Sequence, residues 1–242
     1  VNRPAVRRAA DDHGTMDAMD TDSTDTTDTT DSTATTDAFA DLPTTTLADV
    51  LGRGFVMDIG IRSLTGTSGR LAGPAFTVRC PPGDNLMLHA AIYRAAPGSV
   101  VVVDTGGDVD YAVAGGNVMQ VAQRHGIAGF VVDGVIRDVA EGREAGFPVY
   151  GRGVIPIPGA KAAVGAHNVP VRCGGVSVGP GDIVVADEEG VVVVPAARRD
   201  KVLAAARAKL AKDEAETLDE WERAHRARID QLLAERGFEG SR

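Results

Sequence analysis

The chain has 242 residues, 43% of them hydrophobic, enough for a sizeable core, and a formal charge of −9. That charge is local: residues 11–41 carry ten Asp and no Lys, Arg or Glu, while the 201 residues from 42 onward hold 24 acidic and 22 basic side chains. A nearly balanced domain without a basic stripe excludes an electrostatic footprint for nucleic acid, and no apolar run nears the ~18–20 residues that span a bilayer. With no signal-peptide core at the N-terminus either, the expected location is cytoplasmic, with no membrane partner.

Residues 1–41 read as a disordered Thr/Asp-rich tail, because like charges repel and almost nothing there can be buried. Order is expected from Leu42, where TTTLADVLGR offers Thr caps before a short helix carrying Leu47, Val50 and Leu51. AFTVRC (75–80) reads as a strand, PPGD turns the chain into a helix starting at Asp84, and SVVVVD (99–104) is a strand covered on both faces. GGNVMQVAQRHG (115–126) is a helix opened by a glycine pair, and GFVVDG (129–134) is another buried strand. Strand and helix alternating at this spacing predict parallel crossovers between 75 and 147. After Phe147 the short Val-rich segments with Gly and Pro turns predict a second sheet packed on the first, completing a domain over 42–197. Residues 198–236 read as one charge-rich helix of roughly 55 Å at ~1.5 Å per residue, too long for its own domain and so directed onto a neighbouring subunit. Cys80 and Cys173 sit in apolar surroundings and read as buried free thiols.

The chemistry gathers at two places. Gly115, Gly116, Asn117 and Val118 open a helix, so free backbone N–H groups and the positive end of the dipole converge where a small anion could sit; a tight loop is the other reading of the glycines. Arg137 and Asp138 follow a strand end, the edge where ligands gather in open α/β sheets. Arg offers a fork for a carboxylate and Asp a hard oxygen for Mg2+ or Mn2+, against a helix-starting Asp with a surface Arg. Asp104, Asp108 and Asp110 fit turn roles or additions to a metal site, and Asp84-Asn85 either cap a helix or line the same cleft. The five histidines are dispersed, and no Lys lies between Leu42 and Ala160, which disfavours Schiff-base chemistry at this cleft.

These stretches, GRLAGPAFTVRCPPGDN, VVVVDTGG, AGGNVMQVAQRHGIAGFVVDGVIRD, VPVRCGGVSVGPGD and ADEEGVVVVP, resemble the RraA-like superfamily over about residues 42–215. That superfamily includes 4-hydroxy-4-methyl-2-oxoglutarate/4-carboxy-4-hydroxy-2-oxoadipate aldolases and the RraA regulators of RNase E. The resemblance implies an α/β fold of the α-β-β-α sandwich type, a homotrimer or hexamer with sites between subunits, and a class II aldolase using Mg2+ or Mn2+. It implies that Gly115 to Val118 bind the carboxylate and keto end of a small 2-oxo acid, that Arg137 stabilises the pyruvate enolate, and that Asp138 holds the metal. Pyruvate release from a 4-hydroxy-2-oxo acid and decarboxylation of oxaloacetate follow; binding and inhibition of RNase E is the alternative. Aldolases of the family can carry an acidic residue where this chain has Gly116. Asp213, Glu214 or Glu216 of a neighbouring C-terminal helix could add a carboxylate.

Overall fold

The computed structural model describes residues 38–66 and 69–238. Residues 1–37 of the expected tail lie outside the described residues, but packing begins ahead of Leu42: residues 38–40 form a helical turn, and Phe39 is fully buried.

The helices are α1 (Thr44–Leu51), α2 (Leu86–Ala91), α3 (Gly116–Arg124), α4 (Val139–Glu144), α5 (Arg199–Ala215) and α6 (Leu218–Glu235). The strands are β1 (Arg62–Ser63), β2 (Leu71–Arg79), β3 (Val100–Asp104), β4 (Gly129–Ile136) and β5 (Val149–Val154), then β6 (Ala166–His167), β7 (Val171–Cys173), β8 (Val176–Val178), β9 (Ile183–Asp187) and β10 (Gly190–Val194). β2 to β5 run parallel through crossovers, and β9 pairs antiparallel with the first half of β2 and is followed by antiparallel β10. Because β2 is shared, the expected second sheet is a continuation of the first, curled over on itself in the order β1-β5-β4-β3-β2-β9-β10.

The period-2 alternation of strands assigns each Val to a layer. Val101 and Val103 of β3 and Phe130 and Val132 of β4 face α2, α3 and α4. Their neighbours Val100, Val102 and Val131 face the inside of the curl, against Val184 and Ala186 of β9 and Val191 and Val193 of β10. Ile183, Val185, Val192 and Val194 face outward against α1, α5 and Phe39. Three apolar spaces between four layers make an α-β-β-α sandwich, and each fully buried Val contributes about 1.5–3 kcal/mol. The β7-β8 hairpin closes the inner space through a two-residue turn with both glycines left-handed, Gly174 at φ 53 and Gly175 at φ 79.

The C-terminal helix is divided. Glu216 is extended (ψ 126), and Thr217 caps a new helix in a reciprocal box with Glu220, so α5 and α6 replace the single roughly 55 Å rod. α5 packs on α1, whereas α6 buries none of its residues within the chain.

Candidate active site

The site forms where the end of β4 meets the start of α3. The β4 register slips between Val132 and Val135, and beyond the slip the segment Ala112–Ala114 runs alongside: Val113 N–H donates to Val135 O (3.0 Å) and Arg137 N–H to Ala114 O (2.9 Å). This pairing delivers Gly115, the N-cap of α3, directly beside Arg137 and Asp138.

Asp138 caps α4 in the left-handed region (φ 59, ψ 39), an uncommon conformation for a residue with a side chain. Its Oδ2 accepts Gly116 N–H (3.1 Å) and lies 3.3 Å from Arg137 Nε. Among the described residues Oδ1 has no hydrogen bond, so one carboxylate oxygen is anchored and the other is free to take a ligand. At both glycines the space a Cβ would take is filled by neighbouring side chains, and neither glycine is left-handed. A Cβ on Gly115 would sit 2.5 Å from Asp138 Oδ2 and 3.0 Å from Arg137 Nε, and a Cβ on Gly116 would collide with the Glu141 carboxylate.

A cavity of about 190 Å³ opens here, and the structure brings Gly115, Gly116, Asn117, Val118, Arg137 and Asp138 together on its wall. The rest of the wall includes Asn85, His89 and Lys161. Lys161 weakens the sequence argument that the lack of Lys between Leu42 and Ala160 disfavours Schiff-base chemistry at this cleft: it lies one residue beyond that segment, on the loop after β5. Glu141 was also missed. Its signal was the spacing Asp138-x-x-Glu141 across the first turn of a helix, which puts both side chains on one face.

The other candidates divide cleanly. Asp84 caps α2 by accepting Leu86 N–H (2.8 Å), while Asn85 lines the cavity. Asp104 accepts Gly106 N–H (2.9 Å), and Asp108 accepts Gly83 N–H (2.6 Å) and Asp110 N–H (2.9 Å), so the first two serve turns and the three stay off the cavity wall. Asp213, Glu214 and Glu216 lie at the end of α5; Asp213 pairs with Lys209 (3.0 Å), and none of them lines this cavity within the chain. Both cysteines are buried thiols away from it, and burial pushes Cys80 up to about 11.

The donor set suits a hydrated cation. Among the described residues no group of three or more His, Cys, Asp and Glu gathers to enclose a metal. Asp138, anchored at Gly116 through Oδ2 and with Oδ1 free, and the Glu141 carboxylate beside Gly116 offer hard oxygens of the kind taken by an ion that keeps most of its waters, as Mg2+ or Mn2+ does.

A family model described as RraA-like, Aldolase/RraA, matches residues 33–193. A protein of Halalkalibacterium halodurans named "Putative 4-hydroxy-4-methyl-2-oxoglutarate aldolase" is 39% identical over 206 residues, 83% of this chain and 91% of that one. Streptomyces coelicolor RraAS2, described as an unusual member of the RNase ES inhibitor RraA family, superposes with a TM-score of 0.67 at 30% identity, over 75% of this chain and 94% of its own. The RNA-processing inhibitor RraA from Thermus thermophilis superposes at 0.58 with 34% identity, over 63% of this chain and 92% of its own. With the family model covering well over half of the sequence, the chain belongs to the RraA-like (Aldolase/RraA) family.

Proposed function

We propose that the protein is a divalent-metal-dependent lyase that cleaves 4-hydroxy-4-methyl-2-oxoglutarate, or a related 4-hydroxy-2-oxo acid, to release pyruvate, and that it decarboxylates oxaloacetate. The observation that carries this reading is the convergence of a helix N-terminus, Arg137 and two carboxylates on Gly116. Asp138, with Glu141 nearby, would hold a Mg2+ or Mn2+, which would supply Lewis-acid polarisation of the 2-oxo acid. The amides at the start of α3 bind the C1 carboxylate, and the Arg137 guanidinium faces the 2-keto oxygen. As the C3–C4 bond breaks, its electron pair moves toward that oxygen and Arg137 stabilises the enolate charge. A base takes up the 4-hydroxyl proton, the C4 carbon becomes a carbonyl, and protonation at C3 yields pyruvate. Oxaloacetate loses carbon dioxide to the same enolate.

A coupled pyruvate assay with Mg2+ on both substrates tests this. Asp138→Ala should lower the rate by about 100-fold or more, the scale of losing a preorganised electrostatic group. The reading fails if the unmodified protein releases no pyruvate above the metal-only background, or if Asp138→Ala keeps full activity. The likeness to the Thermus RraA motivates a second reading, inhibition of RNase E by binding, which an inhibition assay with purified protein checks directly.

A further inference from the structure

The site depends on a β-bulge, and the group that holds the bulge lies outside the cavity. From Val132 to Val135 β4 advances three residues while its partner β5 advances two, from Gly151 to Gly153. The extra residue sits at Asp133-Gly134 and turns the end of β4 out of the regular ladder. Segment 112–114 pairs with this turned end, Val113 N–H donating to Val135 O (3.0 Å) and Arg137 N–H to Ala114 O (2.9 Å). Loop 105–111 leads into that segment. How firmly the loop and the bulge are joined therefore sets the spacing between the amides opening α3 and the Arg137-Asp138 pair.

One buried hydroxyl makes the join. Thr105 follows β3 and is buried; its Oγ1 donates to Asp133 O and accepts Asp108 N–H (3.1 Å). Gly134 leaves the room for it: a Cβ there would sit 2.8 Å from Thr105 Oγ1 and 3.1 Å from Asp108 O. The Asp133 carboxylate is committed elsewhere, to Arg152 and to Gly174 N–H (2.9 Å). The sheet thus grips the bulge by its side chain and Thr105 grips it by its carbonyl. On the loop side, the Asp108 carboxylate accepts Gly83 N–H (2.6 Å) and Asp110 N–H (2.9 Å), so the turn that Thr105 holds is itself stiff. A β-branched side chain has few χ1 choices, which keeps the hydroxyl aimed. Thr105 does not line the cavity, so any effect it has on a ligand there passes through the backbone it fixes.

We propose that Thr105 is a positioning residue: its hydroxyl locks the Asp133-Gly134 bulge to loop 105–111 and so holds Gly115 and Gly116 at working distance from Arg137 and Asp138. This deepens the aldolase reading and rests on it for the kinetic consequence, whereas the structural consequence stands without it. Removing the hydroxyl takes this partner from both Asp133 O and Asp108 N–H, and the loop and the strand end then move independently. A displacement of about 1 Å between groups that must act together is on the scale of a 100-fold loss in rate.

The test uses three variants. Thr105→Val keeps the shape of the side chain and removes the hydroxyl, and Thr105→Ser keeps the hydroxyl. Thr65→Val is the comparison, because Thr65 is also buried and its Oγ1 likewise donates to a carbonyl, Phe147 O (2.9 Å), and accepts an N–H, that of Val149 (3.1 Å), but at the opposite end of β5. Pyruvate release with Mg2+ is measured for each variant well below its urea midpoint. Thr105→Val should lose about 10- to 100-fold in kcat, Thr105→Ser should recover most of it, and Thr65→Val should keep kcat despite a comparable loss of stability. Hydrogen exchange gives a readout that needs no activity. The N–H groups of Val113, Gly116 and Arg137 should exchange about 10-fold faster in Thr105→Val, while those of Val101 to Val103 in β3 keep their rates. Unchanged exchange at the three site positions overturns the proposal, as does full kcat in Thr105→Val or an equal loss of kcat in Thr65→Val. Faster exchange at those positions in a protein that releases no pyruvate would sink the aldolase reading and leave the positioning role of Thr105 standing.

Discussion

At Gly116 a missing side chain and a neighbouring one are the same fact. The space an acidic residue at 116 would fill already holds the Glu141 carboxylate, so this chain keeps an acid over the start of α3 while supplying it from α4. Glu141→Ala should therefore weaken metal activation of pyruvate release by about 10- to 100-fold, read as a rightward shift in a Mg2+ titration. Gly116→Asp alone crowds two carboxylates and should also impair activation, whereas Gly116→Asp with Glu141→Ala should recover much of it; no recovery in the double variant would mean Glu141 is only a surface charge. His89 carries a separate prediction about stability. It titrates at about 4 in the fold against 6.5 for an unperturbed imidazole, so the unfolded chain binds the proton first as pH falls. Its contribution is complete above pH 6.5 and is lost between 6.5 and about 4. Asp58, held down chiefly by its Arg152 hydrogen bond, and Asp84 add losses only below about 3.8. Urea midpoints at about pH 7 and 5 should differ for the unmodified protein and converge for His89→Gln, with a modest amplitude because the ring is only half buried.

Among the elements, the clearest brace is Arg152 of β5. It bonds Asp133 of β4 and, at 2.9 Å, Asp58 of the loop before β1, while Asp133 also accepts Gly174 N–H (2.9 Å) from the hairpin turn. Arg152→Met strands the nearly buried Asp133 carboxylate and should cost about 3–5 kcal/mol in a urea titration; a loss below 1 kcal/mol would mean water replaces the pairing. The element scale also shows what the sequence could and could not tell. β3 and β4 were readable because a continuous apolar run is what a strand between two packed layers requires, and the glycine pair of α3 was readable because helix starts are local. The curl of the sheet was not: it depends on β9 pairing with the first half of β2, over a hundred residues away, and nothing in either strand names its partner. Arg137 and Asp138 stood out as neighbours at a strand end. Asn85 was read as either a helix cap or part of the cleft, but Lys161 did not stand out, because the Asp84 hydrogen bonds and the Asn85–Ala160 pairing that bring its loop to the cavity span about seventy-five residues. The helix break was missed in reading residues 198–236 as one helix, although its signal is local: Thr217-x-x-Glu220 is a capping box inside an otherwise helical run.

For the whole molecule, that break decides where α6 points. α5 spends its apolar side on α1, and the chain then restarts as an 18-residue helix with no buried residue. Leu218, Trp221, Ile229 and Leu233 are all exposed within one chain, at spacings that keep them within one side of the helix, and Trp221 stacks on His225 at 4.4 Å. Helix propensity alone leaves an isolated helix of this length marginal in water, so we predict that α6 lays that side on a neighbouring copy. A homotrimer or hexamer built this way should scatter light as three or six times the 25.1 kDa chain. Removing residues 216–242 should lower the assembled mass or make it concentration-dependent, while the sandwich, whose three cores lie before Glu216, stays folded by near-ultraviolet circular dichroism. Thr217→Ala separates docking from mere helicity: losing the cap costs about 1 kcal/mol, which frays the first turn of an unsupported helix but is absorbed if α6 is clamped between subunits. Hydrogen exchange across residues 218–222 should therefore stay slow in the assembled protein, even with Thr217→Ala. Fast exchange there in the unmodified protein, or a monomeric mass at all concentrations, would show that α6 has no neighbour.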